Sequence, residues 1–534
     1  MNQTRRDARW RRRRIIYNND GDDVIQARTP QETAQGLAER ESGELIDDFL
    51  DARARTLLGT QVDSSWYCSC MAGVRFSHHT KRGGFHGKGI PLELVETYGR
   101  DSLQIQTDFC HENGLEAFWS LRMNDVHDSH PDGSSPYWTY GLAPFKRDHP
   151  EFLMGEPADW EKEDGPKKLW SGMDFSFPEV RDHVFGNIDE VARNYDIEGI
   201  ELDFFRHYPF FRETREMVPV EAEHEEMMTA LVRRVRKLAD EVGQQRGRPL
   251  LVAARLPCNL ADARFIGLDL ETWLAEDLLD LLIAGGGVES HMTESFGPMI
   301  KLGHDHDVPV YPCIGWGFWH QWTFLDLTDG EYRDYKSWAR SLKDIGSSFT
   351  LEMNKWKDML PAWRGAATNL LAAGADGIYV FNGAFVDDEV WMEIGDLETM
   401  AGKDKLFGID DFRGSDTFER FRELELQPGE TAKAHFQVGE DLSSRKGPFR
   451  LRLHLWELTA SDEIAVRFND VALNDLRPQK TLDAVPAGHW LECEVQPDRV
   501  INGENRLEIS LNTRADSIAK PIALDCALLY VRAG

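Results

Sequence analysis

The sequence predicts an α/β chain: a (β/α)8 TIM barrel followed by a C-terminal antiparallel β-sandwich of jelly-roll-like type. Three observations predict it. Short β-rich runs alternate with amphipathic helical stretches through the first three-quarters of the chain. Two connections that leave strand C-termini are long, as barrel enzymes build their sites there. After about Leu406 the helical period gives way to short alternating strands separated by turn residues. A length of 534 residues with 41% apolar content supplies enough core for both units.

The eight barrel strands are expected at Arg14–Asn18, Thr60–Cys68, Leu115–Leu121, Gly199–Asp203, Leu250–Arg255, Leu281–Ala284, Val308–Cys313 and Gly377–Phe381. Helical patterns lie between them at Val180–Tyr195, Val220–Val242, Leu268–Leu279, Thr293–His304 and Asp358–Ala373. Strand–helix alternation implies βαβ units and a parallel sheet. An open doubly wound sheet is the other arrangement, but no glycine-rich phosphate loop follows the first strand. The long connections run from Arg122 to about Ser176 and from Ile314 to about Asn354. Long loops in compact domains usually carry function. The sandwich strands are expected at Phe418–Leu426, Thr431–Val438, Phe449–Leu455, Ile464–Phe468, His489–Val495, Arg506–Leu511 and Ala523–Val531. The chain divides into a basic arm (1–13), a barrel (14–405) and a sandwich (406–534) that binds carbohydrate or packs on the barrel.

A formal charge of −31 argues against nucleic acid and anionic membranes as partners. It would also repel an anionic polysaccharide unless the cleft is locally basic. No apolar run approaches the roughly 20 residues of a membrane helix. The arginines Arg11 to Arg14 have no apolar stretch behind them, so no signal peptide is read. They form a solvated arm or pair with acids at the barrel bottom. Seven cysteines without a CxxC pair suit reduced thiols in a cytoplasmic protein. No cofactor is expected, and homo-oligomerisation stays open.

Strand alternation makes the fourth strand the most informative. In Ile197-Glu-Gly-Ile-Glu-Leu-Asp-Phe-Phe-Arg-His207, Ile200 and Leu202 share one face and Glu201 and Asp203 the other. The apolar face meets the helices, so both carboxylates point into the barrel. Two acids there are costly unless hydrogen-bonded, paired or used, and their repulsion raises one proton affinity. Asp203 is the expected nucleophile or charge stabiliser. Glu201 is its acid partner or a structural carboxylate held by Arg255 or Arg122. The third strand ends in Trp119-Ser-Leu-Arg-Met-Asn-Asp-Val-His-Asp-Ser-His130. There Asp125 is the first choice for general acid, ahead of Glu201 and Glu289. Arg122, Asn124 and His127 join Asn19, Asp20, Arg206, His207, Arg255 and Asn382 as expected substrate-binding groups. Trp316, in Cys313-Ile-Gly-Trp-Gly-Phe-Trp-His-Gln-Trp322, is the expected sugar-stacking platform. Asp125, His127, Asp128, His130 and Asp132 also read as metal ligands, but their spacing fits no strong template and no metal is assigned. A turn with helix-capping acids is the alternative for Asp22 and Asp23.

These segments resemble the family-10-like glycosyl hydrolases of the barrel superfamily, in an uncharacterised bacterial branch. The resemblance rests on Asn-Asn-Asp-Gly-Asp-Asp after strand one, Arg-Met-Asn-Asp after strand three and Glu-Leu-Asp-Phe-Phe-Arg-His on strand four, and covers roughly residues 14 to 400. It implies glycoside hydrolysis without naming the sugar. The fourth strand is also similar to the family 18 chitinase motif, but Phe205 stands where that motif keeps its proton donor. The position of Asp203 is similar to that of the nucleophile in retaining α-glycosidases. A non-catalytic carbohydrate-binding barrel and a metal-dependent hydrolase or lyase using Asp125–Asp132 are the competing expectations.

Overall fold

A computed structural model describes residues 3–21, 44–71, 73–87, 89–129, 141–162, 169–285, 296–314, 360–383, 388–410, 424–478, 488–515, 518 and 520–533. Eight parallel strands close into a barrel: β1 (Ile15–Asn19), β2 (Val62–Tyr67), β3 (Glu116–Arg122), β4 (Gly199–Asp203), β5 (Leu251–Leu256), β6 (Leu281–Ala284), β7 (Val310–Ile314) and β8 (Ile378–Phe381). Each pairs with its sequence neighbours, and β8 closes on β1 with Ile15 opposite Ile378. This is the (β/α)8 architecture that the alternating pattern predicts.

Alternation decides which residues fill the barrel. Ile16, Trp66, Phe118, Ala253, Ile283, Tyr311, Tyr379 and Phe381 belong to one inner apolar cluster. Their neighbours Ile15, Tyr17, Ile200, Leu202, Val252 and Ala254 join the large cluster formed with the helices. The helices supply apolar stripes for this outer layer. Pro178–Asn194 buries Val180, Val184, Ile188 and Val191 at helical spacing. Ala222–Arg246 buries Leu231, Val235, Leu238 and Val242 in the same way and ends at Gly247, whose positive φ suits a C-terminal cap. The predicted Leu268–Leu279 helix is two short ones, Leu260–Phe265 and Leu270–Ala275, capped by the side chains of Asn259 and Asp269.

The barrel bottom is sealed by an N-terminal helix, Gln3–Arg9. Arg5, Arg9 and Arg13 are buried, and they pair with Asp280 and Glu116 at the starts of β6 and β3. The alternative of a wholly solvated arm therefore holds only for the exposed Arg11 and Arg12.

Beyond the barrel lie two antiparallel sheets. One contains β9 (Lys405–Asp410), β10 (Leu424–Leu426), β12 (Phe449–Trp456), β15 (Arg477–Pro478), β16 (Gly488–Val495) and β18 (Ile522–Val531). The other contains β11 (Thr431–Val438), β13 (Glu463–Phe468), β14 (Val471–Ala472) and β17 (Gly503–Thr513). Their inner faces share one core that includes Phe436, Leu451, Leu453, Phe468, Leu507 and Leu529. Strand β9, absent from the expected set, pairs along β18. Helix Leu360–Ala372 packs on it so closely that a Cβ at Gly365 would lie 1.8 Å from the Leu406 carbonyl oxygen.

Among the described residues, no helix is long and apolar enough to cross a membrane. The six described cysteines are buried thiols outside any disulfide.

Candidate active site

Strand register stacks the site in two layers. In the upper layer Arg122, Asp203 and Arg255 stand side by side on β3, β4 and β5. One layer down, Ser120, Glu201 and Ala253 are neighbours. The inward direction of Glu201 and Asp203 follows from the period of two.

Asp203 is gripped from two sides. Arg255 donates from Nε to Oδ1 at 3.0 Å and from Nη2 to Oδ2 at 2.9 Å. Backbone N–H groups of Phe205 and Arg206 add bonds to Oδ1 at 2.9 and 3.0 Å. The fork-to-carboxylate geometry pairs the charge and fixes the orientation together. The Arg255 guanidinium in turn lies 4.2 Å from the Phe381 ring centroid. Beside Asp203 it stays well protonated despite burial.

Glu201 is fully buried and receives the Tyr379 hydroxyl at 2.8 and 3.0 Å. Burial, helped by repulsion from Asp203, raises its proton affinity from the ordinary 4.5 to about 8. Asn18 Nδ2 lies 3.4 Å from Glu201 Oε2, while Asn18 Oδ1 is buried without a partner. Turning that amide over would offer its oxygen to a protonated Glu201, answering the orphan. Environment thus sets the two apart: an arginine-paired upper carboxylate and a lower one whose proton affinity is raised.

The loop after β3 spends Asp125 and Asn124 on internal hydrogen bonds. Asp125 does not fit a proton donor. Burial alone would raise its proton affinity, but His127 and Arg122 hold it well below the usual carboxylate range. Oδ1 accepts the backbone N–H groups of Gly73 at 2.8 Å and His127 at 2.9 Å. Oδ2 accepts Arg122 Nη1 and His127 Nδ1, both at 2.8 Å. Asp125 therefore accepts and orients. Asn124 does not fit substrate binding either. Its Nδ2 donates to the carbonyls of Met173 and Pro209, and its Oδ1 accepts Met173 N–H and Asp125 N–H, at 2.7–3.1 Å. Those four bonds stitch three loops together and leave the amide no capacity for a sugar hydroxyl.

Other expected residues do converge. Arg122 Nη2 bonds Asp20 Oδ1 at 2.6 Å. Burial opposes ionisation of Asp20, but Arg122 and Arg206 lower its proton affinity. Arg206 Nη2 meets His127 Nε2 at 3.0 Å. An arginine can only donate, so His127 carries its proton on Nδ1, toward Asp125. His207 stacks edge-on to His127, ring centroids 4.6 Å apart. Asn19 Oδ1 accepts Gly21 N–H and Arg53 Nη1. Asn382 lies beside Arg53 and holds a left-handed backbone at φ 48°, which asparagine tolerates. Gly73 is also left-handed, and a Cβ there would sit 1.8 Å from Asp128 Oδ2. Trp316, Asp22, Asp23, His130, Asp132 and Glu289 lie outside the described residues.

Sequence reasoning missed several members. Tyr379 could have been found, since alternation from Phe381 turns it inward. Asn18 and Ser120 follow by the same rule. Arg53, from helix Glu44–Arg53, and Lys146, bonded to Asp128 at 3.0 Å, carry no local signal.

Asp125, His127 and His207 place one ligand atom each within 4.8 Å of one another and could in principle hold a metal. The fit is poor. The oxygen that would ligate, Asp125 Oδ2, already accepts Arg122 and His127, and Arg206 adds a second guanidinium against His127. A cation would have to displace cations.

No family model and no curated protein matches the sequence. Solved structures are similar only distantly. A cycloisomaltooligosaccharide glucanotransferase of Paenibacillus sp. is 10% identical with a TM-score of 0.35, over 98% of this chain and 57% of that one. A family 36 α-galactosidase, AgaA of Geobacillus stearothermophilus, is 12% identical at 0.35, over 94% and 56%. The PgaB (BpsB) glycoside hydrolase domain of Bordetella bronchiseptica is 10% identical at 0.41, over 72% and 99%. This chain thus spans little more than half the length of the first two.

Proposed function

We propose that this chain hydrolyses glycosidic bonds, with Asp203 as the anion that attacks or stabilises the anomeric carbon. The observation that carries the reading is the pair on β4: an oriented, charge-paired Asp203 at the strand's C-terminal end and a Glu201 that keeps its proton to about pH 8. Glycosidic cleavage needs one carboxylate and one carboxylic acid. With Asp125 anchored by four donors, we take Glu201 as the acid. Tyr379 and Asn18 hold that acid, and Arg255 holds the base. Asp20, Arg122, His127, Arg206 and His207 line the upper layer where a sugar would sit. The resemblance of its strand-end motifs to those of the family-10-like glycosyl hydrolases supports the same chemistry.

The test is incubation with a glycan library, products read by mass spectrometry, beside Asp203→Asn. Loss of roughly 10³-fold in kcat on any cleaved glycoside is expected. Near-normal turnover by Asp203→Asn would overturn the assignment.

A further inference from the structure

Arg206 carries more positive charge than its surroundings answer. Its side chain is nine-tenths buried, at 9% exposure. Nη2 is spent on His127, and Asp20 Oδ2 stands off at 3.9 Å. Nε and Nη1 are buried with no hydrogen-bond partner. Arg122 Nε, across the same mouth, is in the same condition. Burying unanswered guanidinium N–H groups is unfavourable unless a ligand supplies the acceptor.

The local gathering of basic groups points the same way. Arg53, Arg122, Lys146, Arg206 and Arg255 are buried around the mouth or side-chain-buried within it. Asp20, Asp125, Asp128 and Asp203 oppose them, while Glu201 keeps its proton near neutrality. Among the described residues these basic groups gather at one end of the barrel, in a protein whose net charge is −31. Arg206 is tied to Asp203 by its own backbone N–H, at 3.0 Å from Oδ1. Its guanidinium lies 5.9 Å from the centroid of the Phe381 ring, which Arg255, the partner of Asp203, also covers at 4.2 Å, so an anion held by Arg206 is near the proposed reaction centre.

We infer that the substrate carries a carboxylate on the sugar next to Asp203, so that the site is built for a uronic acid residue, with Arg206 as the carboxylate receptor. This rests on the glycosidase reading for the sugar, though not for the anion. A guanidinium with open N–H groups beside its Nη2 edge suits a planar carboxylate. His127 fixes the orientation of that guanidinium, and Asp125 fixes His127.

Calorimetric titration of the full chain with methyl glucuronoside and methyl galacturonoside, each against its neutral methyl hexoside, tests the inference. Inorganic sulfate forms a separate arm. At least one uronide is expected to bind about tenfold or more tightly than its neutral counterpart, the scale of a charge-assisted hydrogen bond. Arg206→Gln should bring that ratio to near unity, and Arg206→Lys should restore part of it. Thermal melting shows that each variant is folded, and the wild-type ratio stands even if one is not. Equal binding of acid and neutral sugars, an undiminished ratio in folded Arg206→Gln, or sulfate binding as tight as the better uronide would each overturn it. The two readings separate cleanly. Uronide binding without cleavage of uronic acid oligosaccharides supports the receptor and sinks the hydrolase. Cleavage confined to neutral glycans does the reverse.

Discussion

The two ends of the barrel bury comparable sets of charges and use them differently. At the bottom, Asp280 is fully buried and collects Arg5 at 2.8 Å, Arg9 at 3.1 Å and Arg236 at 2.7 Å, with Val252 N–H besides. Arg13 forks onto Glu116 at 2.6 and 2.8 Å. Burial would raise the proton affinity of Asp280, and Arg236, Arg5 and Arg9 lower it. Among the described residues, Arg5, Arg9 and Arg13 leave no buried nitrogen unanswered, and Arg236 leaves only its Nε so. At the mouth more is left open. Arg206 and Arg122 leave donors unanswered, a carboxyl holds a proton where its neighbour pairs with arginine, and two histidines face one carboxylate. A nearly closed network fastens the fold; a network with more open valences suits a ligand.

The comparison can be broken at the bottom first. Asp280→Asn should cost about 3–5 kcal/mol, because three arginines lose the anion they share. Chemical denaturation measures it, and a loss below about 1 kcal/mol would mean that the bottom network is ornamental.

Asn124→Ala comes next. Removing an amide with four partners should cost about 2–4 kcal/mol in stability, while KM of the remaining folded enzyme stays unchanged. A selective rise in KM would return Asn124 to the substrate.

The third test is pH. Glu201 binds its proton more tightly folded than unfolded, so the unfolded chain ionises first as pH rises. Stability attributable to it is complete below about 4.5 and falls by about 1.4 kcal/mol per pH unit until about pH 8, above which the loss is complete. Glu201→Gln should flatten that slope in denaturation curves, and it should remove an alkaline limb near pH 8 from the kcat profile. A slope that persists in Glu201→Gln would place the titration elsewhere. The smallest effect is expected from a chelator. With Asp125 Oδ2 taken by Arg122 and His127, chelation should leave turnover within about twofold of untreated enzyme. A large loss that zinc restores would reinstate the metal reading.

Much of the fold was legible in the sequence because periodicity is local. The stretches Gly199–Asp203 and Leu281–Ala284 announce buried strands by length, composition and flanks, and the observed strands have the same bounds. Strand β9 was not legible. It begins at the domain boundary, and its partner β18 lies over a hundred residues away. The same rule divides the site. That Glu201 and Asp203 face inward follows from alternation along one strand. That Asp125 is already held by four donors depends on Gly73, from a different loop, and on which oxygen His127 meets.

By itself, then, the sequence determined the barrel, the sandwich and the two carboxylates on one inward face, since each depends on the period of a single segment. Only tertiary structure decided which carboxyl keeps its proton, which acids are already spent and which arginine is left waiting. Those outcomes depend on burial and on donors delivered by distant elements, Tyr379 from β8, Arg255 from β5 and Arg206 from the end of β4, which meet only once the barrel has closed.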